Sequence, residues 1–237
     1  MSLQVWLPLN GNLENKGCSD LVFSNNNATY TKINASGKIG SCYENTSYTA
    51  GGLISDKTID LGINQSMCCW INVTSFYSTA SLMGIGGQHR YGSNIGMGLT
   101  LKYISATTGY LSVNTGTGSG RTFNTYTGTT VLDADTWYHV CYTYDGANIR
   151  LYVNGNLDKT YAYTGQSSPA DYIGVFCWSL AGGHNLYGGY QFDGRINDFR
   201  VYDHTLSAAE VKEISRGLIV HYPLDNNGQG NANLFSY

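Results

Sequence analysis

The sequence predicts an all-β sandwich, and its composition carries most of that prediction. Of the 237 residues, 30 are glycine and 20 are tyrosine, whereas only 12% are charged, about half of the ~25% usual for soluble domains. Long surface helices need Lys, Glu, Arg and Ala on their solvent side, and this chain has little of that material. Because 42% of the residues are hydrophobic, the chain can still build a sizeable core, which argues against disorder. The composition therefore excludes an α-helical protein and nearly excludes an alternating α/β enzyme.

Short runs of β-branched and aromatic residues recur along the chain between turn residues, as expected for strands. They predict strands at residues 67–73, 80–84, 98–103, 110–114 and 173–178, and a final pair at 190–196 and 197–202. The clearest signal is a three-stranded meander at 137–144, 149–153 and a run ending at 160–163. Its runs are separated by Asp-Gly and Asn-Gly pairs, which favour tight hairpin turns.

One helix is predicted, at residues 207–216. Ser207 and Glu210 form an S-x-x-E capping box, in which each side chain satisfies a free backbone donor of the other residue. Val211 and Ile214 mark its apolar face, and Gly217 is a suitable C-cap. After Gly217 the sequence changes character, and residues 220–225 echo residues 5–10. We therefore expect a domain at 1–216, with 217–237 as a linker or the start of a following module of a longer chain.

Charge and cysteines exclude several classes of partner and cofactor. A formal charge of −3 gives no basic field for nucleic acid, and no apolar run has the ~20 residues that membrane insertion needs. No signal peptide is visible at the N-terminus. Cys68 and Cys69 should point to opposite faces of one strand, and we expect most cysteines to be buried thiols. A bond between Cys18 and Cys42 is the one disulfide left open.

Several motifs occur in the order typical of one family. They comprise residues 137–146, 151–155, 192–202 and 206–210. This ordered set resembles the laminin-G/pentraxin-like branch of the concanavalin A-like lectins, over about residues 7–210. The resemblance implies a jelly-roll sandwich of two antiparallel sheets with one short C-terminal helix. Residues 217–224 also resemble the module joints of phage minor structural (tail) proteins, which implies a virion or a bacterial cell surface as location.

No catalytic pattern is present, so we predict that the protein is not an enzyme. Glycosidases of this fold need two carboxylates about 5–10 Å apart, but there is no Glu-x-Asp-x-x-Glu run. The Gly-x-Ser-x-Gly elbow of serine hydrolases is also missing. His139 lies mid-strand, where we interpret it as a core residue with satisfied hydrogen bonds.

Two segments, residues 88–94 and 178–190, combine planar side chains with amides, His and Arg on a glycine-rich backbone. Sugars are bound by that mixture, with an aromatic face against the ring and polar groups on its hydroxyls. The candidate ligand-binding residues are His89, Arg90, Tyr91, Asn94, Trp178, His184, Asn185 and Tyr187. The sequence thus predicts a non-catalytic carbohydrate-recognition or adhesion module for a cell-surface glycan or polysaccharide. We also expect contacts with other modules of the same chain. The alternative is a purely structural spacer or decoration domain of a multi-module fibre protein, with no ligand.

Calcium is the one metal that the resemblance suggests, because laminin-G and pentraxin relatives often bind it through loop carboxylates and carbonyls. No EF-hand spacing is present. The candidate ligands are Asp60, Asn64 and Asp193. We expect no other cofactor.

Overall fold

The structure, a computed structural model, describes most of the chain up to the end of its helix. The described residues are 2–34, 36–78, 82–90, 96–116, 123–165, 171–177, 179–180 and 191–217, with only the backbone at 89, 90, 179 and 180. They form two antiparallel sheets, one small parallel ladder and one short helix. The predicted all-β jelly-roll sandwich is therefore confirmed, whereas the predicted linker or second module falls almost entirely outside the described residues.

The chain crosses several times between the two sheets, and some runs of consecutive strands stay within one sheet. In the described residues, the elements are β1 Leu3–Leu7, β2 Phe23–Asn25, β3 Thr31–Asn34, β4 Cys42–Asn45, β5 Leu53–Ser55, β6 Gln65–Val73, β7 Leu82–Gly87, β8 His89–Arg90, β9 Met97–Ser105, β10 Thr108–Gly116, β11 Phe123–Asp133, β12 Trp137–Tyr144, β13 Asn148–Val153, β14 Asn156–Ala162, β15 Gly174–Val175, β16 Ser179–Leu180, β17 Gly194–Tyr202 and α1 Ala208–Ile214. Sheet A has the order β14-β13-β12-β6-β17-β4-β3, and β1 also pairs with β17. Sheet B has the order β11-β10-β9-β7-β15-β5-β2, and β8 pairs separately with β16.

The main core lies between the two sheets. Alternate residues of each strand enter it, such as Met67, Cys69 and Ile71 of β6 and Leu99 and Leu101 of β9. Because side chains alternate across a strand, the residues between them point away from the sandwich. We call the two surfaces that carry those residues the outer face of sheet A and the outer face of sheet B.

β6 is buried along its whole length, although only one of its faces meets the main core. On its other face Cys68 clusters with Cys141, and with Leu206 and Val211 from the α1 region. The helix therefore covers part of the outer face of sheet A, which explains why β6 is apolar on both sides. The prediction that Cys68 and Cys69 point to opposite faces is confirmed.

The predicted capping box and C-cap of α1 are confirmed. The Ser207 hydroxyl accepts the N–H of Glu210, and the Glu210 carboxylate accepts the N–H of Ser207 at 2.7 Å. Gly217 has a φ of 73° and donates its N–H to the carbonyl of Ile214. Only glycine adopts that backbone conformation at no steric cost, so the helix ends there.

The predicted meander is confirmed as β12, β13 and β14. Asn154 and Gly155 have φ values of 51° and 75°, the pair of left-handed residues that a type I′ turn requires. Trp137 is half-buried at the start of β12.

The predicted pair of late strands is wrong, because residues 194–202 form the single strand β17. A register shift between Asn197 and Arg200 interrupts its pairing with β6, and Asp198 has a φ of 55°. These are the features of a β-bulge, which shifts the apolar alternation by one residue and imitates a break in the sequence. The Asn197 amide fixes the bulge by donating to the carbonyls of Pro8 and Ser41 at 2.8 and 3.1 Å.

Other expectations need smaller corrections. The strand predicted at 173–178 is only two residues long, and β1, β2, β3, β4, β5, β8, β11 and β16 were not predicted. The disulfide left open is absent, since the described Cys18 is an exposed thiol and Cys42 a buried one. His139 is fully buried, as expected for a core residue, but neither of its ring nitrogens has a hydrogen-bond partner.

The β12–β13 turn makes stability depend on pH. Burial raises the pKa of Asp145, but the Arg150 guanidinium, 2.6 Å away, and the N–H groups of Ala147 and Asn148 outweigh it and lower the pKa from 3.8 to about 2. A carboxyl whose pKa is lower in the folded state contributes stability above pH 4, which is lost as pH falls toward 2. We expect Asp145→Asn to be less stable than wild type at pH 7 by urea unfolding, and this difference to shrink between pH 4 and pH 2. A difference that stays constant would contradict the assigned role.

Candidate functional site

The outer face of sheet B carries a patch without large side chains where β7, β9, β10 and β15 lie side by side. Gly87 pairs with Gly98 on one side and with Gly174 on the other, so three glycines stand in one row. We call this row of paired residues, together with the neighbouring row, the glycine floor. Its members are Gly84, Gly87, Gly98, Gly174, Thr100, Ser112 and Asn114. All seven residues are buried, so solvent does not reach this part of the outer face.

Because side chains alternate along a strand, the neighbouring core residues show which way the floor residues point. Both neighbours of Gly98, Met97 and Leu99, belong to the main core, as do both neighbours of Ser112, Leu111 and Val113. Gly98 and Ser112 must therefore point outward.

Asn114 is the unusual member of the floor. It is 0% exposed, yet neither its amide oxygen nor its amide nitrogen has a hydrogen-bond partner. By contrast, the neighbouring hydroxyls of Thr100 and Ser112 bond to each other at 2.7 Å. A buried amide without partners costs about 1–3 kcal/mol, and native proteins keep few of them. Asn114 thus holds two donors and two acceptor positions that the described protein does not use.

The two predicted binding segments, 88–94 and 178–190, lie beside each other where they are described. In the parallel ladder of β8 and β16, His89 pairs with Ser179 and Arg90 with Leu180. β8 follows floor strand β7 and β16 follows floor strand β15, so both segments leave from the floor. Gln88 is a structural anchor, because its buried amide donates to the carbonyls of Ile59 and Asp171.

Most of the predicted ligand-binding side chains lie outside the described residues. These are Tyr91, Asn94, Trp178, His184, Asn185 and Tyr187, together with the side chains of His89 and Arg90. Their role in binding stays a prediction.

A stacked tyrosine pair beside the floor was missed by the sequence analysis. The rings of Tyr48 and Tyr77 are 4.3 Å apart, and both residues are half-buried. Gln191 links them to the floor, because its N–H donates to the Tyr48 carbonyl and its backbone bridges to Gly84. An aromatic face beside polar backbone is a surface on which a sugar ring can stack.

Asp193 orients this pair. The Tyr77 hydroxyl donates to the Asp193 carboxylate at 2.5 Å. Burial raises the pKa of Tyr77 to about 12, and the hydrogen bond to Asp193 adds to the shift. Burial also raises the pKa of Asp193 above its usual value. At neutral pH Tyr77 is therefore a fixed hydrogen-bond donor rather than an acid.

The three candidate calcium ligands do not form one site. Asp60 and Asn64 are exposed just before β6, and the Asp60 carboxylate accepts the N–H of Gly62 at 2.8 Å. Asp193 precedes Gly194, which pairs with Val73 at the other end of β6. A nine-residue strand spans about 30 Å. Among the described residues, no group of three or more His, Cys, Asp or Glu could hold a metal ion. Calcium binding remains a prediction that no geometry here supports.

Comparison with known proteins gives the family. Residues 44–212 match a family model described as the concanavalin A-like lectin/glucanases superfamily, which is well over half of the chain. The chain belongs to the concanavalin A-like lectin/glucanases superfamily. The resemblance to the laminin-G type of this superfamily is therefore confirmed. No curated protein matches the sequence. No described helix is long and apolar enough to cross a membrane.

Solved structures with a similar fold include sugar-binding and receptor-binding domains. Domain 4 of AbnA, a GH43 extracellular arabinanase from Geobacillus stearothermophilus solved with arabinotriose, has a TM-score of 0.65 at 13% identity, covering 90% of this chain and 98% of that one. The receptor-binding domain of botulinum neurotoxin type G has a TM-score of 0.60 at 14% identity. The match covers 91% of this chain and 51% of that one, so this chain spans about half of its length. A heptameric SAP-like pentraxin from Limulus polyphemus has a TM-score of 0.58 at 17% identity, covering 80% of this chain and 83% of that one. At these sequence identities, each of the three similarities concerns the fold alone.

Proposed function

We propose that this domain is a non-catalytic carbohydrate-recognition module whose glycan lies over the glycine floor. Asn114 carries the proposal, because both of its amide atoms are buried and unpaired. Sugar hydroxyls both donate and accept hydrogen bonds, so one hydroxyl pair, or one ordered water bound to the sugar, would satisfy them. The glycines beside Asn114 add no side chain that would hold a sugar away from the sheet.

The rim of the proposed site combines the two predicted segments with the tyrosine pair. Trp178 or Tyr187 would stack on a sugar ring, as would Tyr48, while His89, Arg90, Asn94 and Asn185 would bind hydroxyls. Each such contact is weak, and we expect millimolar to micromolar affinity, about −4 to −8 kcal/mol per site. Binding to a surface would then depend on repeated modules or subunits.

The ligand class is supported by the similar structures. The AbnA domain was solved with arabinotriose, and the neurotoxin domains are named as receptor-binding. We take a cell-surface glycan or polysaccharide as the ligand. The resemblance of residues 217–224 to module joints of phage tail proteins favours a phage tail or a bacterial surface protein as the setting.

The absence of catalysis is part of the same proposal. Glycoside hydrolysis needs two carboxylates flanking the bond to be cleaved. None of the seven floor residues carries a carboxylate, and the nearby Asp193 is occupied by the Tyr77 hydroxyl. A bound glycan should therefore be recovered intact.

The test is a glycan array, together with bacterial surface polysaccharides, probed with the full chain with and without calcium. We expect Trp178→Ala, Tyr187→Ala and Tyr48→Ala to lose binding. Trp137→Ala is the matched control, because Trp137 is a half-buried tryptophan of sheet A. This variant should bind glycan as wild type does. If no glycan binds in either condition, the proposal is wrong and the spacer alternative takes its place.

A further inference from the structure

Two buried cysteines face each other beneath α1. Cys68 of β6 and Cys141 of β12 are directly opposite residues in the antiparallel ladder of sheet A. Both are 0% exposed and belong to the cluster that α1 covers on the outer face of sheet A. In the described ladders, no other cysteine has a cysteine as its direct partner.

Hydrogen bonding around His139 shows whether Cys68 and Cys141 form a hydrogen-bonded or a non-hydrogen-bonded antiparallel pair. The His139 carbonyl accepts the N–H of Asn154, and the His139 N–H donates to the Asn154 side chain, so both groups point toward β13 and away from β6. The N–H of Asp145 likewise donates toward β13, to the carbonyl of Asn148. β12 has no register shift in either ladder. The N–H and C=O groups of Cys141 therefore point toward β13, as those of His139 do.

Cys68 and Cys141 are therefore a non-hydrogen-bonded antiparallel pair. In such pairs the Cα atoms are about 4.5 Å apart and the side chains are at their closest. Disulfides form across Cα separations of about 4.4–6.8 Å. The backbone of the folded sheet thus already holds these two residues within bonding range.

In the folded domain the two thiols differ in acidity. The neighbouring Cys141 thiol lowers the pKa of Cys68 despite its burial, and His139 and the Arg200 charge lower it further. Burial raises the pKa of Cys141. Cys69, one residue along, points into the main core, where burial raises its pKa and Val140 is its partner across the ladder.

We propose that Cys68 and Cys141 form a cross-strand disulfide when the chain folds in the presence of a small-molecule disulfide. The Cys68 thiolate attacks one sulfur of that reagent, which releases one thiolate and leaves a mixed disulfide. The Cys141 thiolate then attacks the Cys68 sulfur and releases the second thiolate. The two protein thiols are oxidised, and the reagent is reduced to two thiols, whose thiolates take up through solvent the two protons that the protein thiols lose. Because α1 covers both thiols in the folded domain, the exchange belongs to the folding reaction, before the helix docks.

The bond would join two central strands and close a loop of roughly 70 residues in the unfolded chain. A disulfide that closes so long a loop restricts the unfolded state strongly. We expect the oxidised protein to melt roughly 5–15 °C above the reduced one.

The experiment refolds the full chain from denaturant in a buffer of reduced and oxidised glutathione, then alkylates free thiols and maps the peptides by mass spectrometry. We expect one peptide pair joined through Cys68 and Cys141. Cys68→Ser and Cys141→Ser should lose both the cross-link and the rise in melting temperature, whereas the control Cys69→Ala should keep both. The proposal is overturned if all six thiols are alkylated after oxidative refolding, or if Cys18 and Cys42 are joined instead. Peptide mapping of the wild-type protein decides the outcome even if the serine variants fail to fold.

Discussion

Replacing Asn114 with leucine is expected to make the protein more stable and, at the same time, to weaken its glycan binding. Leucine has nearly the shape of asparagine but no polar atoms, so the substitution removes a buried amide that lacks partners. Relief of that cost should raise the unfolding free energy by about 1–3 kcal/mol. Loss of the amide should weaken glycan binding roughly 10- to 100-fold. Urea unfolding and a binding titration of the same preparation measure the two effects.

Asn72→Leu is the matched control. Asn72 is also buried with an unpaired amide oxygen, but it lies on the outer face of sheet A, away from the floor. This variant should bind the glycan as tightly as wild type. If Asn114→Leu instead lowers stability and leaves affinity unchanged, Asn114 is an ordinary structural residue and the floor is not the binding site.

Replacing Asp198 with alanine is expected to cost about 3–5 kcal/mol of unfolding free energy. Asp198 and Arg200 are 5% and 8% exposed, and the guanidinium donates to the carboxylate at 2.9 Å. The Trp6 indole donates to the same carboxylate oxygen at 2.7 Å, and its ring lies 5.0 Å from the guanidinium. Without the carboxylate, the structure must keep a buried positive charge that has lost its ion-pair partner.

Two further variants separate the causes of that loss. Asp198 has a φ of 55°, which asparagine tolerates better than alanine, so Asp198→Asn removes the charge without the backbone strain. Asp20→Ala removes an exposed ion pair with Lys57 and should leave the urea midpoint nearly unchanged. If Asp198→Ala is as stable as Asp20→Ala, the buried pair does not hold β1 against β17.

The sequence predicted those parts of the fold whose signals are local. The Asn154–Gly155 turn and the Ser207–Glu210 capping box depend on residues a few positions apart, and both were found. The bulge in β17 was read as a break, because it depends on hydrogen bonds from Asn197 to Pro8 and Ser41, far away in the chain. β11 was missed because most of its residues are exposed and polar, so it lacks the alternation that marks a half-buried strand.

The candidate site shows the same limit. The segments 88–94 and 178–190 were chosen for their chemistry, and the sequence could not show that their backbones pair. Asn114 stood at the end of a predicted strand, in a polar position that usually faces solvent. Its place in a row with Gly98 and Gly87 depends on pairing between β7, β9 and β10. No local pattern carries that information.

The position of the glycan can be read most directly from backbone amide chemical shifts of the labelled protein, titrated with the best-binding glycan from the array. The largest shifts are expected on the glycine floor, at Gly87, Gly98 and Asn114. The amides of Cys68 and Cys141, on the other sheet, should not move. Shifts that saturate on the outer face of sheet A while the floor stays unchanged would contradict a binding site over sheet B.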